Sequence, residues 1–167
     1  SLPELFELAS QLGSDVSFCL HHAPTLVKGR GEIVTPLPPF PHKWVVLIVP
    51  PVPRLPEKTK RLYASLKASH YTGGQITDRL VASLTTGGEV TSSSLFNVFD
   101  EVVLDNFAGL GEYREQFLKA GAKEVHLAGS GPVLFTLVRD KNQAEKIYFN
   151  LWRQGFESYL SDTLPAI

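Results

Sequence analysis

The later part of the sequence predicts an α+β fold, which a set of apolar segments indicates. Residues 44–49 are a continuous apolar run rich in β-branched residues, typical of a strand buried on both faces. Residues 125–127 and 132–138 are two further apolar runs, separated by a glycine-containing break that predicts a tight loop between two strands. Residues 142–154 carry apolar side chains at helical spacing, and 156–160 alternate as a closing strand does. Helices and strands mixed in this order favour helices packed on a sheet.

The first residues predict a helix followed by short strands. Apolar side chains recur at helical spacing in residues 2–12, and Gly13 is a natural helix end. Residues 16–20 and 25–28 are short and apolar, so we expect two strands there.

Residues 36–41 contain four prolines and should be a stiff connector that pairs with nothing. This connector predicts two domains, at 1–40 and 41–167. Four further helices are predicted at residues 57–67, 77–84, 95–103 and 112–120.

Bulk properties exclude several classes of protein. The chain has 167 residues with a formal net charge of -1, so it lacks the basic footprint of a nucleic-acid-binding protein. No apolar run is long enough to span a bilayer. The single cysteine excludes an internal disulfide framework and indicates a reducing compartment. We therefore expect a cytoplasmic protein with no nucleic-acid or membrane partner.

Gly129, Ser130 and Gly131 form the most informative local motif. Glycines on either side of a serine, between two apolar strands, let backbone N–H groups approach an anion closely. The spacing alone favours the other interpretation, a hairpin turn that needs positive φ. The spacing differs from the G-x-S-x-G nucleophile elbow, so Ser130 is disfavoured as a hydrolase nucleophile.

Asp15 lies where the first helix has ended and an apolar segment begins. As a structural residue it would cap one of these elements. As a functional residue it would accept a proton from a substrate hydroxyl, as aspartates do in several phosphoryl-transfer enzymes. Tyr63, one helical turn after Thr59, is likewise open to two interpretations: packing on a helix, or an aromatic plate for a planar ligand.

Five segments together resemble one enzyme family: LGSDVSFCL, LVKGRGEIVTPLP, SLFNVFD, HLAGSGPVLF and YLSDTL. In order and spacing they are similar to the later portion of the 4-diphosphocytidyl-2-C-methyl-D-erythritol kinases, which belong to the GHMP kinase superfamily. The resemblance covers essentially the whole chain. It implies the end of a GHMP N-terminal, ATP-binding domain at 1–40, followed by a ferredoxin-like α/β sandwich, the GHMP C-terminal domain, at 41–167.

The resemblance also implies an activity and a site. The family transfers the γ-phosphoryl group of ATP to the 2-hydroxyl of a cytidine-diphosphate-linked methylerythritol, in non-mevalonate isoprenoid biosynthesis. Asp15 aligns with the family's catalytic aspartate, and Tyr63, with Thr59 beside it, aligns with the aromatic contact to cytosine. The family's third glycine motif, near the phosphates, aligns with Gly129, Ser130 and Gly131. No metal ligand is assigned in this chain.

The chain also departs from the family. Beside Asp15 it has Ser17 and Cys19 where the family usually has proline and phenylalanine. The implied cofactor is ATP with Mg²⁺, but the family's glycine-serine-rich ATP loop and the lysine paired with its aspartate are absent from these residues. We therefore expect a piece of a longer kinase, inactive by itself.

The implied partners are a small-molecule substrate and either the missing N-terminal portion or a second copy of the chain. In a plant the implied location is the plastid stroma. A different class of function stays open, namely a stand-alone α+β binding or interaction module without kinase activity. An RNA-binding domain is disfavoured, because basic and aromatic residues are not clustered.

Overall fold

The computed structural model of the chain describes residues 2–13, 15–21, 23–53, 55–91 and 94–164, with side chains from residue 4 onward. Within this described part the α-helices are α1 (Leu2–Leu12), α2 (Lys58–Ser65), α3 (Gln75–Thr86), α4 (Val103–Asn106), α5 (Leu110–Lys119) and α6 (Lys141–Arg153). The strands are β1 (Thr25–Lys28), β2 (Ile33–Pro36), β3 (Trp44–Ile48), β4 (His126–Leu127), β5 (Leu134–Val138) and β6 (Ser158–Asp162). The chain divides into two compact units, the first comprising residues up to Pro41, Thr77–Val90 and Leu164 onward, the second His42–Ile76 and Thr91–Thr163.

The first unit contains helix α1 and a two-stranded hairpin. Strands β1 and β2 pair antiparallel, with Val27 opposite Val34. The predicted helix at 2–12 and the predicted strand at 25–28 are confirmed.

The predicted strand at 16–20 is wrong. Phe18–Leu20 is instead a single turn of 3₁₀ helix. The N–H groups of Cys19, Leu20 and His21 each donate to the carbonyl three residues earlier, with N···O distances of 3.1, 3.3 and 3.0 Å. These local bonds satisfy the backbone without a partner strand, although the apolar side chains alternate as they would in one.

Strand β2 extends into the predicted connector at 36–41. Pro36 lies opposite Thr25, and the N–H of Leu37 donates to the carbonyl of Pro24 at 2.8 Å. Proline is tolerated there because it ends the strand of a two-stranded sheet, where no further neighbour needs its N–H. The expectation that the whole connector is unpaired is therefore wrong for Pro36.

The second unit is built on a four-stranded antiparallel sheet with the order β4-β5-β3-β6. Strand β3 has neighbours on both sides, so Val46 lies opposite Thr136 of β5 and Leu160 of β6. The predicted strands at 44–49, 125–127, 132–138 and 156–160 are confirmed, with ends shifted by up to two residues.

Strand β3 is buried on one face more than on the other. Val46 and Ile48 are 0% and 1% exposed and join the main core, whereas Val45 and Leu47 are half-buried. The expectation of burial on both faces is wrong, because this antiparallel sheet alternates between a core face and a more open face, as such sheets commonly do.

Helix α6 supplies the cover for the core face. It packs against β3, β5 and β6 and contributes Ala144, Ile147 and Leu151 to the core. Its first turn is capped by Asp140, whose carboxylate accepts a hydrogen bond from the N–H of Gln143 at 2.7 Å. The predicted helix at 142–154 is confirmed, one residue earlier in the chain.

The predicted helix at 95–103 is replaced by two shorter elements. A 3₁₀ helix spans Val98–Glu101, and α4 follows it. The side chain of Asn97 accepts a hydrogen bond from the N–H of Phe99 and so begins the 3₁₀ helix. The helices predicted at 57–67, 77–84 and 112–120 are confirmed as α2, α3 and α5.

The division into domains at 1–40 and 41–167 stays a prediction. No helix in the described residues has the length and apolar character needed to cross a bilayer.

Truncation of Ile147 tests the packing of α6 on the sheet. Ile147 is 1% exposed, so Ile147→Ala should lower the free energy of unfolding by about 2–5 kcal/mol through lost burial and a cavity. The measurement is urea unfolding followed by tryptophan fluorescence. Its neighbour Lys146 is exposed, so Lys146→Ala should change the free energy by no more than about 0.5 kcal/mol. Equal effects of the two substitutions would contradict this packing.

Candidate functional site

Residues 128–133 join β4 to β5 as a tight loop. The N–H of Ala128 donates to the carbonyl of Val133, and the N–H of Gly131 donates to the carbonyl of Ala128, both at 2.9 Å. Gly129 and Gly131 have φ values of +54° and +68°, which favour glycine. The predicted strand, tight loop and strand are confirmed, and the turn interpretation describes this backbone correctly.

The two glycines of this loop face different surroundings. A Cβ atom on Gly131, which is buried, would lie 2.8 Å from Cδ1 of Leu127 and 3.6 Å from Cγ2 of Val103. A Cβ atom on Gly129 would meet nothing within 4 Å. Gly131 is therefore required by both its backbone conformation and its packing, and Gly129 by its conformation alone.

Two side chains hold the carbonyl groups along this hairpin. The amide nitrogen Nδ2 of Asn97 donates to the carbonyls of Leu127 and Gly129, at 3.1 and 2.7 Å. The ammonium of Lys58, at the start of α2, donates to the carbonyl of Gly131. Three carbonyl oxygens of the hairpin are thus bound to side-chain donors.

The N–H groups of Gly129 and Ser130 are left unbonded by this arrangement. In the described part of the chain no acceptor takes a hydrogen bond from either of them. Consecutive N–H groups of this kind form a concave site for an anion. The turn interpretation and the anion interpretation are therefore compatible, because the hydrogen bonds that hold the turn use its carbonyl groups and leave the N–H groups of Gly129 and Ser130 free.

The first turn of α2 brings a second predicted residue to the loop. Oγ1 of Thr59 lies 3.1 Å from Oγ of Ser130, within hydrogen-bonding distance, across 71 positions of the chain. Thr59 is exposed and Ser130 is half-buried. The structure thus brings together four of the predicted site residues, namely Thr59, Gly129, Ser130 and Gly131.

Tyr63 lies one helical turn after Thr59 on the same helix. Its ring packs edge-on against Phe99, with centroids 4.9 Å apart and planes at 75°. The residue remains 58% exposed. The packing interpretation therefore accounts for one contact of the ring, while enough of it stays open to stack on a planar ligand.

Asp15 belongs to the first unit and is exposed in the turn before the 3₁₀ helix. Its carbonyl accepts a weak hydrogen bond from Sγ of Cys19 at 3.3 Å. Among the described residues no backbone N–H is bonded to its carboxylate, so the capping role is not seen there. The loop and α2 lie in the second unit, and their geometry is described without Asp15.

Comparison with known proteins identifies the domain that carries the loop. Residues 83–158 match the family of GHMP kinases C terminal. The chain contains a GHMP kinase C-terminal domain. The α+β fold and the superfamily expected from the sequence motifs are therefore confirmed.

Relatives with the same domain cover nearly all of the chain. It is 47% identical over 163 residues to a 4-diphosphocytidyl-2-C-methyl-D-erythritol kinase of Dehalococcoides mccartyi, a match that covers 98% of this chain and 57% of the relative. A kinase of the same name from Geobacillus thermodenitrificans is 33% identical, with 93% and 52% covered. The chain thus spans about half the length of these relatives.

The solved structures that resemble this chain include a kinase of the same name as its sequence relatives. A crystal structure of 4-(cytidine 5'-diphospho)-2C-methyl-D-erythritol kinase superposes with a TM-score of 0.74 at 25% identity, covering 95% of this chain and 56% of the other. Homoserine kinase from Cytophaga hutchinsonii, with a TM-score of 0.64 and 19% identity, shares the fold.

Two residues whose side chains bind carbonyls of the loop, namely Lys58 and Asn97, were not predicted from the sequence. Asn97 lies in SLFNVFD, and an asparagine before a helical segment is a capping signal that was legible in the sequence. Its hydrogen bonds to Leu127 and Gly129, 30 and 32 positions later, could not be predicted, because no local sequence pattern indicates them. Lys58 carries no signal beyond its place next to Thr59.

Partial burial shifts the pKa of two groups in the elements around the loop. Burial raises the pKa of the Asp100 carboxyl, an effect that the Arg114 guanidinium opposes and Glu101 reinforces. Burial lowers the pKa of His126, at the start of β4, against the nearby carboxylate of Glu124. The His126 ring packs on that of Phe135, its cross-strand partner, with centroids 5.4 Å apart.

Alanine at the two loop glycines tests their different environments. Both substitutions place a side chain at positive φ, which costs on the order of 1–2 kcal/mol. Gly131→Ala additionally drives its Cβ against Leu127, so we expect a larger loss in the free energy of unfolding than for Gly129→Ala. Urea unfolding of the two variants measures the difference. An equal or larger loss for Gly129→Ala would show that the close contact at Gly131 is mistaken.

The lowered pKa of His126 predicts a pH dependence of stability. The unfolded chain, with a pKa near the ordinary 6.5, binds the proton before the folded chain does. The free energy of unfolding should therefore fall as the pH drops through 6.5 toward the lower folded pKa. His126→Phe keeps a ring against Phe135 but takes no proton, so its stability should fall less between pH 7.5 and 5.5. Denaturant unfolding at each pH gives the two slopes, and a slope at least as steep in the variant would refute the assignment.

Proposed function

We propose that this chain is the C-terminal part of an ATP-dependent kinase that phosphorylates the 2-hydroxyl of 4-diphosphocytidyl-2-C-methyl-D-erythritol, in non-mevalonate isoprenoid biosynthesis. The observation that carries the proposal is the 47% identity, over 98% of this chain, to a kinase of that name. Because the chain spans 57% of that relative, the activity proposed is that of the whole protein.

The loop of residues 128–133, called the glycine loop from here on, is proposed to bind a phosphate group. The unbonded N–H groups of Gly129 and Ser130 are donors already in place, and Gly131 lets the backbone turn tightly beneath them. Because these donors have no protein acceptor among the described residues, a phosphate oxygen can accept from them without breaking an existing hydrogen bond. This geometry fits the phosphates of ATP or the diphosphate of the substrate.

The start of α2 is proposed to bind the nucleoside part of the substrate. The exposed ring of Tyr63 offers a plate for the cytosine base, steadied from one side by Phe99. Thr59 places a hydroxyl between this plate and the glycine loop, where it is 3.1 Å from Ser130. A base on Tyr63 and a phosphate on the loop would thus be bound by neighbouring parts of one surface of the second unit.

Asp15 is proposed as the group that accepts the proton. In the reaction the O–H bond of the 2-hydroxyl breaks, its oxygen forms a bond to the γ-phosphorus, and ADP leaves with the electron pair of the broken P–O bond. An exposed aspartate carboxylate without a described hydrogen-bond partner is free to take the released proton. This assignment follows the family resemblance of LGSDV at residues 12–16.

Magnesium enters the proposal only through ATP. When bound with ATP, the ion would neutralise negative charge on the phosphate groups. The described residues include no group of three or more His, Cys, Asp or Glu side chains that could hold a metal ion. We therefore assign no magnesium ligand in this chain.

The proposal also includes a cellular location and a protein partner. A cytoplasmic location is proposed from the single cysteine. The protein partner proposed is the N-terminal ATP-binding portion that the resemblance implies, or a second copy of the chain. No observation favours the alternative of a binding module without kinase activity.

Asp15→Asn in the full-length protein tests the catalytic assignment. The amide cannot accept the proton, so turnover should fall by about 10²- to 10⁴-fold, the usual contribution of a general base. The Michaelis constant for the cytidine substrate should stay within about threefold, because the substitution removes no binding contact proposed here. Coupled measurement of ADP release gives both values.

Asp78→Asn is the matched control for this test. Asp78 is another exposed aspartate of the first unit, in the first turn of α3, and has no proposed role in the reaction. We expect its turnover to stay within about twofold of the unmodified enzyme. If Asp15→Asn also retained turnover within about threefold, Asp15 would not be the catalytic carboxylate.

A further inference from the structure

We propose that Asn97 is a positioning residue that holds the glycine loop in the conformation that binds phosphate, an inference that rests on the proposed function. Asn97 lies before the 3₁₀ helix at Val98–Glu101 and is half-buried. It does not touch the reacting atoms in this proposal. It acts through the loop.

The side-chain amide of Asn97 is bonded at both of its ends. Its nitrogen donates to the carbonyl of Leu127 at 3.1 Å and to that of Gly129 at 2.7 Å. Its oxygen accepts from the N–H of Phe99 at 3.0 Å. Both protons of the nitrogen and one lone pair of the oxygen are thus used, which fixes the orientation of the amide group.

These bonds act at Gly129, whose backbone has little conformational preference of its own. Gly129 has no side chain and adopts positive and negative φ with similar ease, so the chain itself does not select the observed turn. The carbonyls of Leu127 and Gly129 stand at the beginning of the loop, and Asn97 binds both. Once its carbonyl is held, the peptide plane that joins Gly129 to Ser130 is oriented, and with it the free N–H of Ser130.

Release of these carbonyls would also alter the charge that the loop presents to a ligand. A carbonyl oxygen carries partial negative charge, and the Gly129 carbonyl is the immediate neighbour of the proposed donors. Bound to Asn97, that oxygen faces a protein donor. Rotated toward the ligand, it would repel a phosphate where the N–H of Ser130 now attracts one.

Asn97 also joins the loop to the proposed aromatic plate. By accepting from the N–H of Phe99 it begins the 3₁₀ helix that carries Phe99, and the ring of Phe99 packs edge-on against Tyr63. One amide is therefore bonded to both the phosphate-binding loop and the segment that supports the base-binding ring.

The test compares substitutions at two asparagines in the full-length protein. Asn97→Asp keeps the oxygen that accepts from Phe99 but removes both donors, and Asn97→Ala removes the whole amide without adding charge. Asn150 is the matched control, because it is half-buried and donates to the carbonyl of Ala120, 30 positions away and outside the loop, at 3.0 Å. Asn150→Asp and Asn150→Ala therefore report a structural loss alone.

Two readouts separate positioning from stability. Hydrogen exchange at the N–H of Gly131, which is bonded to Ala128, should become at least about tenfold faster in both Asn97 variants and change less than about threefold in the Asn150 variants. The Michaelis constant for at least one phosphate-bearing substrate should rise about tenfold with kcat within about threefold, because the loop binds phosphate before and during the reaction. Unchanged exchange, or unchanged Michaelis constants with faster exchange, would overturn the inference.

A third readout is independent of the kinase reaction. Addition of inorganic pyrophosphate to the unmodified protein should shift the NMR resonances of the Gly129 and Ser130 N–H groups, with binding weakened at least about tenfold in the Asn97 variants alone. If the protein showed no kinase activity, the proposed function would fail, and this titration would still decide the role of Asn97. Equal pyrophosphate affinity in all variants would refute it.

Discussion

Strand β3 is hydrogen-bonded to a neighbour on each side, and the second unit depends on this double pairing. Its register with β5 places Ile48 opposite Leu134, and Leu134 is the first residue after the glycine loop. The same strand presents Val46 and Ile48 to the core that helix α6 covers. Because β3 pairs with β5 and α6 packs against both strands, these contacts position Leu134, where the loop joins the sheet, independently of the loop's own hydrogen bonds.

The loop at residues 128–133 is held by hydrogen bonds to its backbone carbonyl groups. A tight turn leaves carbonyl and N–H groups without strand partners, and buried groups of either kind are unfavourable when unpaired. Here side chains from two other segments, Lys58 and Asn97, bind the carbonyls. The N–H groups of Gly129 and Ser130 receive no such partner among the described residues. These two N–H groups are the donors that the proposed binding of a phosphate would use.

Many helices and strands could be predicted from the spacing of apolar residues. The errors arose in short segments, where that spacing does not decide the structure. Helix α6 was predicted within one residue at each end, because its apolar positions repeat with a helical period over 13 residues. The alternation of Val16, Phe18 and Leu20 has the period of a strand, but over so few residues local hydrogen bonds form a 3₁₀ turn instead. The prediction that β3 is buried on both faces was wrong, because a run of five apolar residues does not show what covers each face of a sheet.

The sequence by itself determined the superfamily, the order of the main elements and the candidate residues of the site, since these depend on residue types and local spacing. Only the tertiary structure decided which of those residues meet. The contact between Thr59 and Ser130 and the contacts of Asn97 with the glycine loop join segments 30 or more positions apart. Such contacts follow from how strands pair and helices pack. The Gly-Ser-Gly segment, which the sequence shows only as a turn, thereby acquires carbonyls bound by distant side chains and a hydroxyl contact from another helix.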